Sequence, residues 1–358
     1  MAEGGEPVTS RSEQSFPSGS KAHCYGVSKY PAAGLAPRRN SSLARKGFPG
    51  HKRGMKFTGI SDEAGNAILT QIKAHQELGW DALEVRNCQV DEFPNGNLHE
   101  IPEPAFERAV AVIEEHGMKV CGFGSIIANW AHKIEDDFSI TEAEIARAIP
   151  RMRRLGTGIL RIMSYAIRKD AEGRDLPDQM EEERFRRLRE IKKRFDDAGI
   201  TVVHENCMNY GGMSISHAHR LLDNVPGLKW VYDTGNPVFN EDRDHPGKRQ
   251  DSWDFYQAVK PHIAHIHIKD GRWNADKNDA DYTFPGEGEG QTERILADVL
   301  ASGYNGYVSI EPHVSVVFHG PSDDKGGLSA EEKAREQFES YVNYGKALEA
   351  MVRRLQQA

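Results

Sequence analysis

The sequence predicts an α/β fold, a (β/α)8 or TIM barrel forming a single domain over residues 55–358. A disordered basic extension over 1–54 precedes it. Three observations carry this prediction. Eight short apolar runs alternate with longer amphipathic segments across about 300 residues, the usual span of such a barrel. No strand-to-helix turn carries the GxGxxG fingerprint of a doubly wound open sheet. The last four runs each bring an ionisable residue to the carboxyl end, where barrels of this kind keep their working sites.

Taken in order, the strand runs are KFTGI (56–60), ALEVR (82–86), KVCGFG (119–124) and ILRIM (159–163). TVVHE (201–205), LKWVYD (228–233), IAHIHI (263–268) and YVSIE (307–311) follow. Between them, PEPAFERAVAVIEEHG (102–117) has proline near its start and glycine just past its end, as helix termini prefer. EEERFRRLREIKKRFDDAG (181–199) repeats the glycine stop, and residues 330–355 form a long closing helix. In NYGGMS (209–214) the serine is placed to cap the helix that follows.

Residues 1–54 are rich in Gly, Ser, Pro and Arg, without sustained periodicity. Such a stretch buries too little apolar surface to offset its ordering entropy. It has no apolar core of a secretory signal. Its basic character leaves an organellar transit segment, or a start misassigned upstream of Met55, as alternatives. Nine basic against three acidic residues give this segment +6 of the net −8, leaving −14 on the remainder. So acidic a domain repels a phosphate backbone, which argues against nucleic acid as a partner. No apolar run is long enough for a membrane span. Cys24, Cys88, Cys121 and Cys207 are scattered without a CxxC pair, which fits a reducing, cytoplasmic setting.

On the seventh run, His265, His267 and Lys269 share one face, and Ile266 and Ile268 the other. At the strand ends, runs five to eight present Glu205, Asp233, His267 and Glu311. Three carboxylates facing one cavity repel each other unless a cation intervenes. With one imidazole they form a hard, oxygen-rich donor set. That favours one divalent ion, Mn²⁺ first, with Mg²⁺, Co²⁺ and Zn²⁺ as the other candidates. His265, two residues deeper, is read as filling the barrel and orienting its neighbours.

The segments VVHEN, VYDTGN, HIHIKD, GEGEG and SIEPH together resemble the xylose-isomerase-like TIM-barrel superfamily, the AP endonuclease 2 family, over about residues 55–355. That group holds sugar phosphate isomerases and epimerases, inosose dehydratases, hydroxypyruvate isomerases and endonuclease IV. The resemblance implies that Glu205, Asp233, His267 and Glu311 bind one cation, with Glu205 and Glu311 doubling as catalytic acid and base. Two departures stand out. Ketose 3-epimerases commonly carry a second Glu where this chain has Gly211, and a His is often found where it has Asn236. Asn236 also removes one of the additional histidines of endonuclease IV.

Candidate substrate contacts are Glu84, Asn129, Arg161, Asn206, Asn236, Lys269 and His313. Glu84 is alternatively a rim carboxylate paired with Arg86, and Arg161 a structural ion pair. Trp130 is a candidate apolar wall for a sugar face. Asp270 is read as bracing a ligand from behind.

The expectation is a divalent-metal-dependent isomerase or epimerase of a sugar, keto-sugar or sugar phosphate, working through an enediolate. The alternative is a metal-dependent lyase or dehydratase of a 3-keto sugar, keto-glycoside or keto-inositol. A barrel that only binds sugar ranks below both. A homodimer or homotetramer is the expected assembly.

Overall fold

A computed structural model describes residues 54–314 and 329–357 of the chain. The expected disorder of the extension falls, apart from Gly54, on residues outside that set. Eight parallel strands form one sheet: β1 (Lys56–Gly59), β2 (Ala82–Val85), β3 (Lys119–Gly124), β4 (Ile159–Ile162), β5 (Thr201–Glu205), β6 (Lys229–Asp233), β7 (Ile263–Ile268) and β8 (Tyr307–Ile310). Each pairs with its sequence neighbour from β2 to β8, and β8 returns to pair with β1. The ring closes between β1 and β2 through an Ile60–Glu84 bridge and a hydrogen bond from Thr58 Oγ1 to the Ala82 carbonyl.

Eight helices alternate with these strands: α1 (Ile68–Glu77), α2 (Glu103–Glu115), α3 (Phe138–Leu155), α4 (Glu181–Asp196), α5 (Ile215–Asn224), α6 (Ser252–Val259), α7 (Thr292–Ala301) and α8 (Ala330–Gln357). Their ends follow from local chemistry. Asp137 accepts from Ser139 N at the start of α3, and Gly156 ends that helix at φ 66°. Ser214 caps α5 by accepting from His217 N, as the sequence suggests. In α4 three glutamates open the first turn and Lys193 and Arg194 close the last, matching the helix dipole.

The strand alternation sorts the core. Ile266 and Ile268 of β7 point outward into the apolar layer beneath the helices, while His265 and His267 point into the barrel. Trp230 of β6 also faces outward, its ring 4.6 Å from that of His204. Two small antiparallel pairs, absent from the expected pattern, decorate the carboxyl face: Asn87–Cys88 with Gly96–Asn97, and Gly271–Asn274 with Asp279–Tyr282. Among the described residues no helix is long and apolar enough to cross a membrane.

Candidate metal centre and cavity

Parallel registers bring the ends of β5 to β8 to one level: His267 lies beside Asp233 on one side and Ser309 on the other. One ligand atom from each of Glu205, Asp233, His267 and Glu311 falls within 4.8 Å of all the others, and all four side chains are buried. His267 Nδ1 stands 3.3 Å from Glu205 Oε1 and 3.7 Å from Glu311 Oε2. Asp233 Oδ1 accepts from the backbone N–H groups of Gly235 and Asn236, which fixes the carboxylate. Its Oδ2 is buried without a hydrogen bond, although Lys269 Nζ lies 3.1 Å away. Lys269 also donates to Glu311 Oε2 at 3.0 Å.

The charges are unevenly settled. Burial pushes Glu205 up, but Arg161, with Nη1 3.3 Å from Oε2, and then His267 outweigh it and lower the pKa. Glu311 also resists burial; Lys269, His313 and His267 hold it well below the usual range. Asp233 goes the other way. Burial, helped by Glu311 and Glu205, overcomes the Lys269 ammonium and raises its carboxyl to about 7. Burial pulls His267 down, yet Glu84 and Glu205 raise it well above its ordinary value. Three clustered carboxylates, one held back from ionising and with an oxygen lacking a hydrogen bond, fit a divalent cation with hard oxygen and imidazole donors.

Beneath the four, Glu84 departs from its expected place as a substrate contact. It is fully buried and outside the cavity lining, with Oε2 2.7 Å from His265 Nε2 and Oε1 3.0 Å from His267 Nε2. The carboxylate thereby spans both imidazoles of β7. Nor does it pair with Arg86, which reaches Asp62, Glu63 and Glu311 at 3.1, 3.4 and 3.2 Å. His313 Nε2 lies 2.8 Å from the same Glu63. Asp62 and Glu63, in the SDEA turn after β1, were missed by sequence reasoning, which named Arg86 only as a partner for Glu84. Their signal was adjacency of two acids to a strand end.

Asn206 is corrected too. Its amide exchanges two hydrogen bonds with the Asp233 backbone, each 2.9 Å, and stitches β5 to β6 below the cavity. Asp270 braces no ligand of the cluster. It accepts from Gly271 N, Gly286 N, Gly290 N and Thr292 Oγ1, shaping the GEGEG loop.

A cavity of about 560 Å³ opens above the cluster. Asn129, Arg161, Asn236, Lys269 and His313 all line it, with Glu205 and Glu311 at its floor. Asn129 Oδ1 is partly engaged, accepting from Ala131 N. Trp130, Trp273 and Tyr282 add aromatic walls, the last two from the unforeseen hairpin. After β5, the Gly211 N–H donates to Ser164 Oγ, which also contacts His204 Nε2 at 3.0 Å. A β-carbon at 211 would lie 2.5 Å from His204 Cε1.

A family model described as a xylose isomerase-like TIM barrel matches residues 72–350. No curated protein sequence shows a significant match to this chain. Among solved structures, a D-tagatose 3-epimerase-like protein is 15% identical, with a TM-score of 0.58, covering 85% of this chain and 99% of its own. A probable 3-DHS dehydratase from Bacillus anthracis is 16% identical (TM-score 0.56, 82% and 99% covered). A xylose isomerase-like TIM barrel protein from Mycobacterium smegmatis, solved in complex with magnesium, is 15% identical (TM-score 0.52, 82% and 97% covered). At these identities the likeness concerns the fold.

Proposed function

The chain belongs to the xylose isomerase-like TIM barrel family, and from that premise we propose that it is a divalent-metal-dependent sugar isomerase or epimerase. The observation that carries the reading is the convergence of ligand atoms of Glu205, Asp233, His267 and Glu311 within 4.8 Å of one another, with Glu205 and Glu311 reaching the cavity. These four would hold the ion, Mn²⁺ before Mg²⁺, Co²⁺ or Zn²⁺. When bound, it would supply Lewis-acid stabilisation of the negative charge that grows on the substrate's oxygens.

The chain's own residues do the rest. Glu205 and Glu311 both carry lowered pKa values and are ionised at neutral pH, so each is ready to accept a proton. One takes the proton from the carbon beside the substrate carbonyl and, now the conjugate acid, returns it to the neighbouring carbon in an isomerisation. In an epimerisation the opposite carboxyl enters the turnover carrying a proton taken from solvent and delivers that proton to the other face, while the first keeps the one it removed. Arg161 and Lys269 keep the two carboxylates apart in charge and line the same cavity, where they face sugar oxygens. A lyase reading shares the first step but expels a group β to the carbonyl. A second chamber, which shares Trp130, Met208 and Trp273 with the cavity lining, gives room for that leaving group.

The test is incubation of the Mn²⁺-loaded protein with keto-sugars in deuterated water. Isomerisation or epimerisation leaves solvent deuterium in recovered sugar, and Glu205→Gln or Glu311→Gln abolishes the exchange. Elimination instead releases a fragment. If no candidate metal supports exchange or elimination with any keto-sugar, the reading fails.

A further inference from the structure

A second chamber of about 510 Å³ adjoins the metal-centre cavity. The two share their lining at Trp130, Met208, Phe239, Asn240, Trp273 and Asn278, so one runs into the other. Trp130 is 57% exposed and Met208 50%; they are two of only four large hydrophobic side chains so exposed among the described residues. Apolar side chains held in water at the junction of two cavities mark a binding surface.

The charged groups of the outer chamber each have a protein partner. Arg243 is paired with Asp175 at 2.9 Å, and Lys169 approaches the same carboxylate at 3.8 Å. The Arg249 guanidinium sits over the Trp273 ring, its carbon 3.4 Å from the centroid, and donates to the Phe239 carbonyl. Glu241 Oε1 accepts from Gly247 N. Trp130 and Met208 are the exposed apolar faces of this chamber, on which a flat apolar ring can stack, with the Asn240 and Asn278 amides beside them.

Resting on the proposed sugar chemistry of the inner cavity, we infer that the substrate is a keto-glycoside, with the carbonyl on its sugar ring, whose aromatic aglycone occupies the outer chamber. The sugar faces Glu205 and Glu311, and the glycosidic link passes between Trp130 and Trp273.

Calorimetric titration of the full, Mn²⁺-loaded chain with four probes tests this: methyl β-glucoside, 4-nitrophenyl β-glucoside, cellobiose and glucose 6-phosphate. The nitrophenyl glycoside should bind about tenfold tighter than the methyl glycoside, the gain that aromatic stacking gives. Trp130→Ala, at an exposed position that puts little of the fold at risk, should cut that advantage to about threefold or less. Equal binding of the two glycosides overturns the inference, as does tighter binding of cellobiose or of the phosphate. Titration with Mn²⁺ alone reads the inner site independently. Metal binding without a nitrophenyl advantage sinks only the aglycone chamber; failure of the metal to bind sinks the sugar chemistry, and the inference with it.

Discussion

Replacing Glu84 by Gln isolates the contribution of a carboxylate that touches no cavity. In the wild type it accepts from both β7 imidazoles, 2.7 Å from His265 Nε2 and 3.0 Å from His267 Nε2. Burial alone would raise its pKa, but His267 and His265 hold it well below the carboxylate range, so the charge is present and shared. Glutamine keeps the shape and one acceptor oxygen, enough for one imidazole. The other then faces an amide N–H₂ and must change tautomer, in a site where His265 Nδ1 already has no hydrogen-bond partner. Outer partners of metal-ligating histidines are worth about 10–100-fold in metal affinity, which is about 1.4–2.7 kcal/mol. We expect a Mn²⁺ affinity loss in that range by calorimetry, on protein whose near-ultraviolet dichroism matches wild type. His265→Gln, one step further from the centre, should lose less. An affinity within twofold of wild type in Glu84→Gln would refute the positioning role, whatever the fate of the other variant.

The metal-free centre holds His267 protonated and Asp233 raised to about 7, so Mn²⁺ uptake at pH 7 should release about one to two protons. Calorimetry in buffers of different ionisation enthalpy counts them, and affinity should fall as pH drops; no release would mean a different ligand set. Gly288→Ala would place a β-carbon 2.2 Å from Asp270 Oδ1 and 2.4 Å from Gly271 N. The loop should destabilise by roughly 1–3 kcal/mol, read as a lowered Tm, while Gly158→Ala, with open space around it, serves as the unaffected control. Burial lowers His75 to about 4, against weaker opposing bonds to the Gln71 and Gly59 carbonyls. Because its folded pKa lies below the unfolded 6.5, its share of stability is complete above pH 6.5 and drains as pH falls towards 4. About 2 kcal/mol should be gone at pH 5. Urea unfolding should therefore show a shallower pH slope in His75→Gln; parallel slopes would contradict it.

Much of this was legible because barrels translate strand order directly into position. Period-two alternation placed His265 and His267 inside and the isoleucines outside, and the strand ends put Glu205, Asp233, His267 and Glu311 on one rim. What stayed hidden depends on contacts across the ring. Glu84 sits on β2 and its imidazoles on β7, 181 and 183 residues away, and only closure between β1 and β2 makes them neighbours. Arg86 was visible as a strand-end cation, but its reach to Asp62, Glu63 and Glu311 needs the geometry of the turn after β1. Asn206 reads like a rim residue until the backbone of Asp233 claims both ends of its amide. The hairpin at 271–282 left a fainter trace: an NADKND stretch between aromatic residues, polar enough to pass for plain loop.

The glycine at 211 has a consequence for anyone redesigning this barrel or tracing its lineage. Because the imidazole of residue 204 fills the volume where a side chain would begin, the glutamate that ketose 3-epimerases carry here cannot be grafted on by a single exchange. Both positions must change together, a small residue entering at 204 as the acid enters at 211. Relatives should accordingly inherit the two as a linked pair, and a hybrid with both large residues should be missing from the lineage.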